Sequence, residues 1–215
     1  MNNVYEALIK YFGKQNWWPG DSKLEISISA ILTQNTSWKN VESAIYNLKV
    51  NNLLPENDNN YMFYARKILN IQNEELMKII RPCGFYRIKT IRIKNFLEFL
   101  VKNGGFENLD KLDDIRLRQN LLSINGVGKE TADAIILYVF QRPSFVIDKY
   151  TIRILNRHGI YYKNYEEYKK FFESSIKKDI EIYKEFHALL VNLAKEFCKK
   201  HKAYCQVCPI NFWSC

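Results

Sequence analysis

The stretch Leu122-Ser-Ile-Asn-Gly-Val-Gly-Lys-Glu-Thr-Ala-Asp133 decides the fold of this chain. An apolar helical segment ends there, Gly126 and Gly128 make a tight turn, and a new helix is predicted to begin near Lys129. Glycine lets the backbone approach a phosphate closely, and the N–H groups at the start of a helix point toward an anion. The lysine adds a positive charge. We therefore predict a helix-hairpin-helix whose turn contacts phosphate, although short helix–helix turns without a ligand also contain glycines.

Apolar residues on both sides of this hairpin recur with the period of an α-helix. The first stripes are formed by Val4, Ala7, Leu8, Tyr11 and Phe12, and by Trp38, Val41, Ala44, Ile45 and Leu48. The same spacing continues in 93–100, 115–122, 132–140, 168–176 and 186–197. No convincing period-two series of a β-strand accompanies them, so the predicted fold class is all-α. Pro19-Gly20 and the polar stretch 51–60 are predicted breaks between helices.

The composition is that of a folded, basic protein. Of 215 residues, 32 are Lys or Arg and 23 are Asp or Glu, which gives a formal net charge of +9, and 14% are aromatic. Positive charge favours polyanions, and aromatic rings offer surfaces on which bases stack. Charge alone is equally compatible with a basic protein that binds no nucleic acid. Neither an apolar window of about 20 residues nor a signal-peptide pattern is present, so we expect a cytoplasmic protein with no membrane partner.

Four of the five cysteines lie within the last 18 residues. They are Cys198, Cys205, Cys208 and Cys215, with the spacing C-x6-C-x2-C-x6-C. Four soft thiolates suit a [4Fe–4S] cluster, one for each iron, whereas zinc ribbons have two CxxC pairs about 15–20 residues apart. We predict the cluster, with a tetrahedral zinc site as the main alternative. Cys83 stands apart and is expected to be a buried, small apolar residue.

Basic residues follow the first of these cysteines. Lys199, Lys200 and Lys202 come directly after Cys198. A charged run of this kind is usually a solvated surface, but lysines beside a metal loop of a basic protein can also contact phosphates. We predict the phosphate contact for these three lysines.

A second segment supports the hairpin interpretation. In Ser144-Phe-Val-Ile-Asp-Lys-Tyr-Thr-Ile-Arg153, Asp148 follows an apolar run and lies 20 residues after Gly128. The motif L-x-x-I-x-G-V-G-K-x-T-A-D, then V-I-D-K-Y, then the four-cysteine pattern resembles the endonuclease III superfamily of DNA glycosylases. The resemblance extends from about Leu24 to Cys215.

This resemblance implies an architecture and a partner. A six-helix domain at 22–132, ending in the helix-hairpin-helix, is expected to pack closely against a second domain made of 1–21 and 133–215. The cluster loop spans 198–215 in the second domain. Double-stranded DNA with a damaged base flipped out of the helix is expected in the cleft between the domains. The protein is expected to act as a monomer.

Two further segments match parts of the family that enter the DNA. Ser29-Ala-Ile-Leu-Thr-Gln-Asn-Thr36 is similar to the segment whose glutamine fills the gap left by the flipped base, which makes Gln34 a candidate. Gly84-Phe-Tyr-Arg-Ile-Lys89 is similar to the segment with the intercalating apolar residue, which makes Phe85 a candidate. The same residue types would equally suit a polar helix end and an aromatic packed in a turn.

The chain departs from the family pattern at two places. The last cysteine interval, six residues, is one longer than in endonuclease III. Bifunctional members carry a Schiff-base lysine at the second position after the last hairpin glycine, and Glu130 occupies that position here. A glutamate cannot form an imine with C1′ of the sugar, so we predict a monofunctional glycosylase. Glu130 is a candidate active-site residue, although an acid is also favourable at a helix N-terminus without any catalytic role.

Asp148 is the predicted catalytic residue. A carboxylate beside the flipped nucleotide stabilises the cationic sugar as the base departs, and a helix N-cap is the alternative role. Trp17, Trp18 and Trp38 lie at positions similar to those of the 3-methyladenine DNA glycosylases of the endonuclease III type, a branch that Glu130 also matches. Electron-rich tryptophan faces select a cationic base. The predicted substrate is therefore an alkylated purine such as 3-methyladenine.

Other functions stay compatible with the sequence. The four cysteines also suit an endonuclease III-like glycosylase and AP lyase that acts on oxidised pyrimidines. A protein that binds DNA without catalysis, or that senses redox state through the cluster, is a further alternative. The presence of Asp148 argues against a pure DNA binder, which would not need this carboxylate.

Overall fold

The computed structural model describes residues 1–213, and within this range the chain forms twelve α-helices and no β-strand. The helices are α1 (Asn2–Phe12), α2 (Lys23–Leu32), α3 (Trp38–Val50), α4 (Tyr61–Asn70), α5 (Asn73–Ile79), α6 (Tyr86–Lys102), α7 (Phe106–Leu109), α8 (Asp114–Leu122), α9 (Lys129–Tyr138), α10 (Lys149–Arg157), α11 (Tyr165–Ser175) and α12 (Ile180–Glu196). Two short 3-10 turns span Arg81–Cys83 and Cys205–Val207. The all-α prediction is confirmed. None of the helices described is long and apolar enough to cross a bilayer.

Two compact units divide the chain. One is the continuous segment Pro19–Phe140, and the other combines Met1–Trp18 with the chain from Gln141 onward. The second unit is therefore built from both ends of the chain. The hairpin belongs to the continuous unit, and Asp148 belongs to the two-part unit.

Helix α2 lies in the interior of the unit Pro19–Phe140. It packs against α3, α6 and α9. Leu24 and Ile28 are fully buried, and residues on the other sides of the helix are buried as well. Burial on all sides is expected for a helix inside a core, and in α2 it includes the polar side chains of Glu25, Ser27 and Ser29. Ser22 caps its start by accepting a hydrogen bond from an amide of the first turn. The other end of α2 leads directly into the turn that carries Gln34.

The two-part unit has an aromatic core. Helix α12 packs against α1 and α10. Phe145 stacks on Phe172 with ring centroids 4.3 Å apart, and both are fully buried. Tyr183 and Phe186 meet Phe145 edge-on. Such aromatic pairs contribute roughly 0.5–1.5 kcal/mol each beyond their burial, so this cluster anchors Phe145 and with it the apolar run that precedes Asp148.

The predicted hairpin lies between α8 and α9. Helix α8 ends at Leu122, and α9 begins at Lys129. Arg118 of α8 makes a two-pronged ion pair with the buried Asp133 of α9, with N···O distances of 2.8 and 3.1 Å. Paired guanidinium–carboxylate bonds are directional as well as strong. They therefore hold the two helices at a defined angle on either side of the turn.

Candidate functional site

Asp148 lies immediately before α10 and ends a buried apolar run. The residues 145–147 are 1% exposed or less, and Asp148 itself is 7% exposed. Its Oδ1 accepts a hydrogen bond from the Thr151 amide at 2.6 Å, which is the geometry of an N-cap. The cap and a catalytic role are compatible, because the positive end of the helix dipole stabilises a carboxylate.

His187, on α12, is the second group at this carboxylate. Its Nε2 lies 3.5 Å from Asp148 Oδ2, and both side chains are buried. Burial alone would raise the pKa of the Asp148 carboxyl, but His187 and the hydrogen bond from Thr151 outweigh burial and lower that pKa. Asp148 is therefore a carboxylate at neutral pH. Sequence reasoning missed His187, for which the one available signal was a histidine among the apolar residues of a helix.

The two positions of the hairpin turn that hold glycine differ in whether another residue could occupy them. Gly126 has a φ of +100°, and a Cβ there would collide with the side chain of Arg92. Gly128 has a φ of −87°, and a Cβ there would meet nothing within 4 Å. Gly126 is thus required by the turn itself. Gly128 leaves open space in front of the helix start, which is the property predicted for a phosphate contact.

Lys129 and Glu130 are the first two residues of α9, and both side chains are exposed. Gly128 precedes them as the N-cap and supplies no side-chain acceptor. The helix dipole and the Lys129 ammonium contribute positive potential at this helix start, and the neighbouring Glu130 carboxylate offsets part of it. The position at which the sequence resemblance predicts a Schiff-base lysine for a bifunctional enzyme is occupied by the carboxylate of Glu130, which is not an amine nucleophile.

Gln34 follows α2 and is hydrogen-bonded to the hairpin. Its Nε2 donates to the Gly126 carbonyl and to Thr131 Oγ1, both at 3.0 Å. Its Oε1 accepts a hydrogen bond from Arg92. The structure therefore brings two of the sequence-predicted DNA contacts, Gln34 and Gly126, into one network.

Phe85 carries a strongly exposed aromatic ring, 66% accessible. Its backbone is left-handed, with a φ of 47°, and Gly84 before it has a φ of 64°. A bulky residue in this conformation is uncommon and persists where the surrounding structure holds it. An exposed ring on a fixed turn at the start of α6 has the form of an intercalating side chain.

The three tryptophans lie in two different units. Trp17 and Trp18 are partly exposed, with ring centroids 5.4 Å apart. The backbone just before Trp17 is held by Glu185 of α12, which accepts two amide hydrogen bonds at 2.7 and 2.9 Å. Trp38 begins α3 in the continuous unit, and its Nε1 donates to Glu42 at 2.8 Å. The tryptophan cage for a base stays a prediction.

Three of the four tail cysteines line one small cavity. Cys198 follows α12, and Cys205 and Cys208 are at the two ends of the second 3-10 turn. Burial raises the pKa of the Cys208 thiol, and the nearby Cys198 and Cys205 add to the rise. Arg157 Nη1 donates to Cys198 Sγ at 3.2 Å. Cys215, the fourth predicted ligand, lies outside the described residues.

The donor chemistry of this cavity suits a metal cluster. Soft thiolates are the ligands of iron–sulfur clusters and of structural zinc. Within residues 1–213, no three His, Cys, Asp or Glu side chains are close enough together to hold a single metal ion. The three cysteines nevertheless share a lining with apolar residues such as Leu193 and Ile210. In donor type and in their common cavity, these residues fit a [4Fe–4S] cluster.

The lysines of the cysteine loop face solvent. Lys199, Lys200 and Lys202 are all exposed. The ammonium groups of Lys199 and Lys202 lie 5.2 and 5.1 Å from the centre of the Tyr204 ring. The backbone of the loop is anchored separately, because the Lys200 carbonyl accepts a hydrogen bond from Arg157 at 3.1 Å. An anchored loop with exposed lysines can meet a polyanion without rearranging.

This chain is similar to known DNA repair proteins in sequence and in fold. The family model of the HhH-GPD superfamily of base excision DNA repair proteins matches residues 28–178. A candidate DNA repair glycosylase of Methanocaldococcus jannaschii is 50% identical over 212 residues, which cover 96% of this chain and 92% of that protein. Endonuclease III of Thermotoga maritima is 26% identical over 184 residues, 85% of this chain and 78% of the relative.

A solved structure is similar over nearly the whole fold. It is the 3-methyladenine DNA glycosylase of H. pylori bound to 1,N6-ethenoadenine, with a TM-score of 0.80 and 29% identity. The match covers 90% of this chain and 96% of that one. The range matched by the family model contains both the hairpin and Asp148. The chain therefore belongs to the HhH-GPD superfamily of base-excision DNA repair proteins and is a DNA N-glycosylase.

Proposed function

We propose that this glycosylase is monofunctional, removes alkylated purines such as 3-methyladenine, and uses Asp148 as its catalytic carboxylate. The observation that carries the proposal is the buried Asp148 at the start of α10, where His187 and the Thr151 amide lower the pKa of its carboxyl. Glu130 at the position of the lyase lysine supports the monofunctional part.

The reaction needs one negative charge beside the sugar. As the glycosidic bond breaks, its electron pair leaves with the base, and positive charge develops on C1′ and the ring oxygen. The carboxylate of Asp148 stabilises this cation. A water molecule then adds to C1′ and loses a proton, which leaves an abasic site in an unbroken strand. No step requires an imine, in keeping with Glu130.

The proposed substrate follows from charge. Adenine alkylated at N3 is already cationic, so the departing electron pair neutralises it and no strong general acid is required. The faces of Trp17, Trp18 and Trp38 attract such a cation, at roughly 0.5–2 kcal/mol for each contact. The similarity to the H. pylori protein, whose name gives 3-methyladenine, supports this specificity.

We further propose that Cys198, Cys205, Cys208 and Cys215 bind a [4Fe–4S] cluster. When bound, this group supplies iron–thiolate bonds that close the loop 198–215, and a capacity for electron transfer. Lys199, Lys200 and Lys202 then contact phosphates of double-stranded DNA, as do Gly126, Gly128 and Lys129 of the hairpin. Gln34 and Phe85 enter the duplex at the lesion, and the enzyme acts as a monomer.

A second candidate is an endonuclease III-like glycosylase and AP lyase for oxidised pyrimidines. The four-cysteine pattern and the similarity to the T. maritima protein favour it. Because residue 130 is a glutamate, this candidate requires another nucleophilic amine, such as that of Lys149, which directly follows Asp148.

A panel of duplexes, each with one defined lesion, tests both candidates. We expect wild-type protein to release free alkylated purine and to leave a strand that breaks only after alkali. Borohydride is expected to trap no protein–DNA adduct. Efficient trapping, or strand breaks without alkali, would show that the enzyme is bifunctional.

Asp148→Asn is the matched variant for the catalytic residue. Asparagine caps a helix about as well as aspartate, so the thermal unfolding midpoint should hold. Base release should fall by roughly a hundredfold or more, the scale of losing one electrostatic stabiliser. Release that stays near the wild-type rate in this variant would remove Asp148 from the mechanism.

A further inference from the structure

Lys89 is a lysine enclosed in the protein interior, only 1% exposed, near the start of α6. Its Nζ donates to the carbonyl oxygens of Leu32 and Cys83, both at 2.8 Å. Burial lowers the pKa of the Lys89 ammonium, and the neighbouring Cys83 partly opposes this shift. Lysine is rarely fully buried unless it is paired, so these two carbonyl bonds account for its position.

The two carbonyls belong to the segments that carry the proposed DNA-entering side chains. Leu32 is the last residue of α2, two positions before Gln34. Cys83 ends the first 3-10 turn, two positions before Phe85. One ammonium therefore joins two turns whose carbonyls lie 57 and 6 residues from it along the chain.

The next turns of α6 add links to the same region. Arg92 donates to Gln34 Oε1. Asn95 Nδ2 donates to the Asn125 carbonyl in the hairpin turn at 2.9 Å. Lys89, Arg92 and Asn95 are spaced three residues apart, so they occupy neighbouring positions on the surface of α6. This side of α6 thus contacts the end of α2, the Phe85 turn and the hairpin turn.

We propose that Lys89 is a positioning residue for lesion recognition: its ammonium locks the Gln34 turn to the Phe85 turn, so that both side chains enter the duplex as one rigid body. The inference rests on the proposed function, since it takes Gln34 and Phe85 as the side chains that enter DNA. Flipping one base requires both to arrive at the same base pair. Because the two turns are already ordered in the free protein, binding DNA costs less conformational entropy than it would if they were mobile.

The test compares Lys89→Met with Lys94→Met. Methionine is a flexible, unbranched apolar side chain that cannot donate a hydrogen bond. Lys94 lies on the same helix, and its Nζ also donates to a carbonyl, that of Ile71 at 2.6 Å, which belongs to neither turn. Three quantities are measured in the full protein: amide exchange in 32–35 and 83–86, single-turnover base release corrected for the folded fraction, and affinity for undamaged duplex.

Lys89→Met is expected to accelerate exchange in both segments. Its base release should fall by roughly tenfold to a hundredfold, the scale of a misplacement of about 1 Å. Affinity for undamaged duplex should change by less than about twofold, because phosphate contacts are untouched. Lys94→Met should resemble wild type in all three measurements. Equal losses in the two variants, or unchanged release once the folded fraction is taken into account, would overturn the proposal.

Arg92→Met keeps the proposal testable if Lys89→Met does not fold. Arg92 is only partly buried, so the variant should fold. We expect faster exchange around Gln34 and slower base release, and wild-type values for both would contradict the shared role of α6. The variants Gln34→Ala and Phe85→Ala test separately whether these two side chains take part in base release, as the proposed function requires. If neither variant slows base release, both the proposed DNA-entering roles of Gln34 and Phe85 and the positioning role of Lys89 are wrong. Faster exchange in Lys89→Met would then show only that Lys89 stabilises the two turns.

Discussion

The contact between His187 and Asp148 determines how a single carboxyl responds to pH. His187 helps to lower the pKa of Asp148, so the carboxylate persists to lower pH than an ordinary aspartate does. Activity that needs this charge is present above that pKa and is lost as pH falls through it. His187→Leu removes the contact and keeps the burial, which raises the pKa. We expect the acidic limb of the pH profile of single-turnover base release to move to higher pH.

His187→Gln is the matched control, because glutamine retains an N–H donor for the carboxylate. Its acidic limb should shift less than that of His187→Leu. If the limb stays in place in both variants, ionisation of Asp148 does not limit the reaction.

Single residues also show where sequence reasoning ends. Asp148 was predictable because a recognisable motif surrounds it, and its alternative role as an N-cap is also seen in the structure. Neither His187 nor Lys89 was predicted. Each is one polar residue within an apolar helical stripe, and its partners come from distant parts of the chain, such as Leu32, which precedes Lys89 by 57 residues. Pairings of this kind depend on packing, which local periodicity does not encode.

At the scale of the elements, the two glycines of the hairpin turn have different expected roles: Gly126 in folding and Gly128 in DNA binding. Gly126→Ala places a methyl group against Arg92 at a positive φ, and should lower the free energy of unfolding by about 1 kcal/mol or more. Gly128→Ala should leave stability nearly unchanged, since a Cβ there meets open space. Gly128→Asp should weaken binding to damaged and undamaged duplexes alike, because phosphate contacts carry no base information.

Urea unfolding and fluorescence anisotropy at one salt concentration measure these two effects. Gly128→Asn is the neutral control for the aspartate and should bind more tightly than Gly128→Asp. Wild-type affinity in Gly128→Asp at moderate salt would contradict the assignment of the turn to DNA.

The helices differ in how far they could be predicted. Long amphipathic helices such as α3 and α12 were predicted because an apolar stripe repeats over several turns. The short helices α5 and α7 were not, since seven and four residues contain too few repeats to define a period. The first helix ends at Phe12, before the predicted break at Pro19-Gly20, because Gly13 takes a φ of +72°.

At the scale of the whole molecule, the proposed cluster is expected to stabilise the folded protein. Within residues 198–213, Val207 and Phe212 are exposed while Ile210 is fully buried, so only part of the apolar surface of this segment lies in a core. We expect purified protein to be brown, with about four irons and four sulfides per chain, and to lose thermal stability when the iron is removed. Cys208→Ser should lower the iron content, whereas Cys83→Ala should not. Stoichiometric zinc without visible absorption in anaerobically prepared protein would show the alternative metal.

The unit that contains Asp148 is assembled from both ends of the chain. Helix α1 packs on α12, and the amide of Gln15 bonds to Glu185, 170 residues later. Ribosomes add residues from the N-terminus, and domains generally fold as units during synthesis. The continuous unit Pro19–Phe140 can therefore fold while the remainder is still being translated. Helix α1, in contrast, cannot pack in its final position until α12 has been synthesised. The hairpin is therefore complete before the unit that holds Asp148, the proposed catalytic carboxylate, can assemble. A chain whose translation stops after Phe140 would thus contain the hairpin turn but lack Asp148.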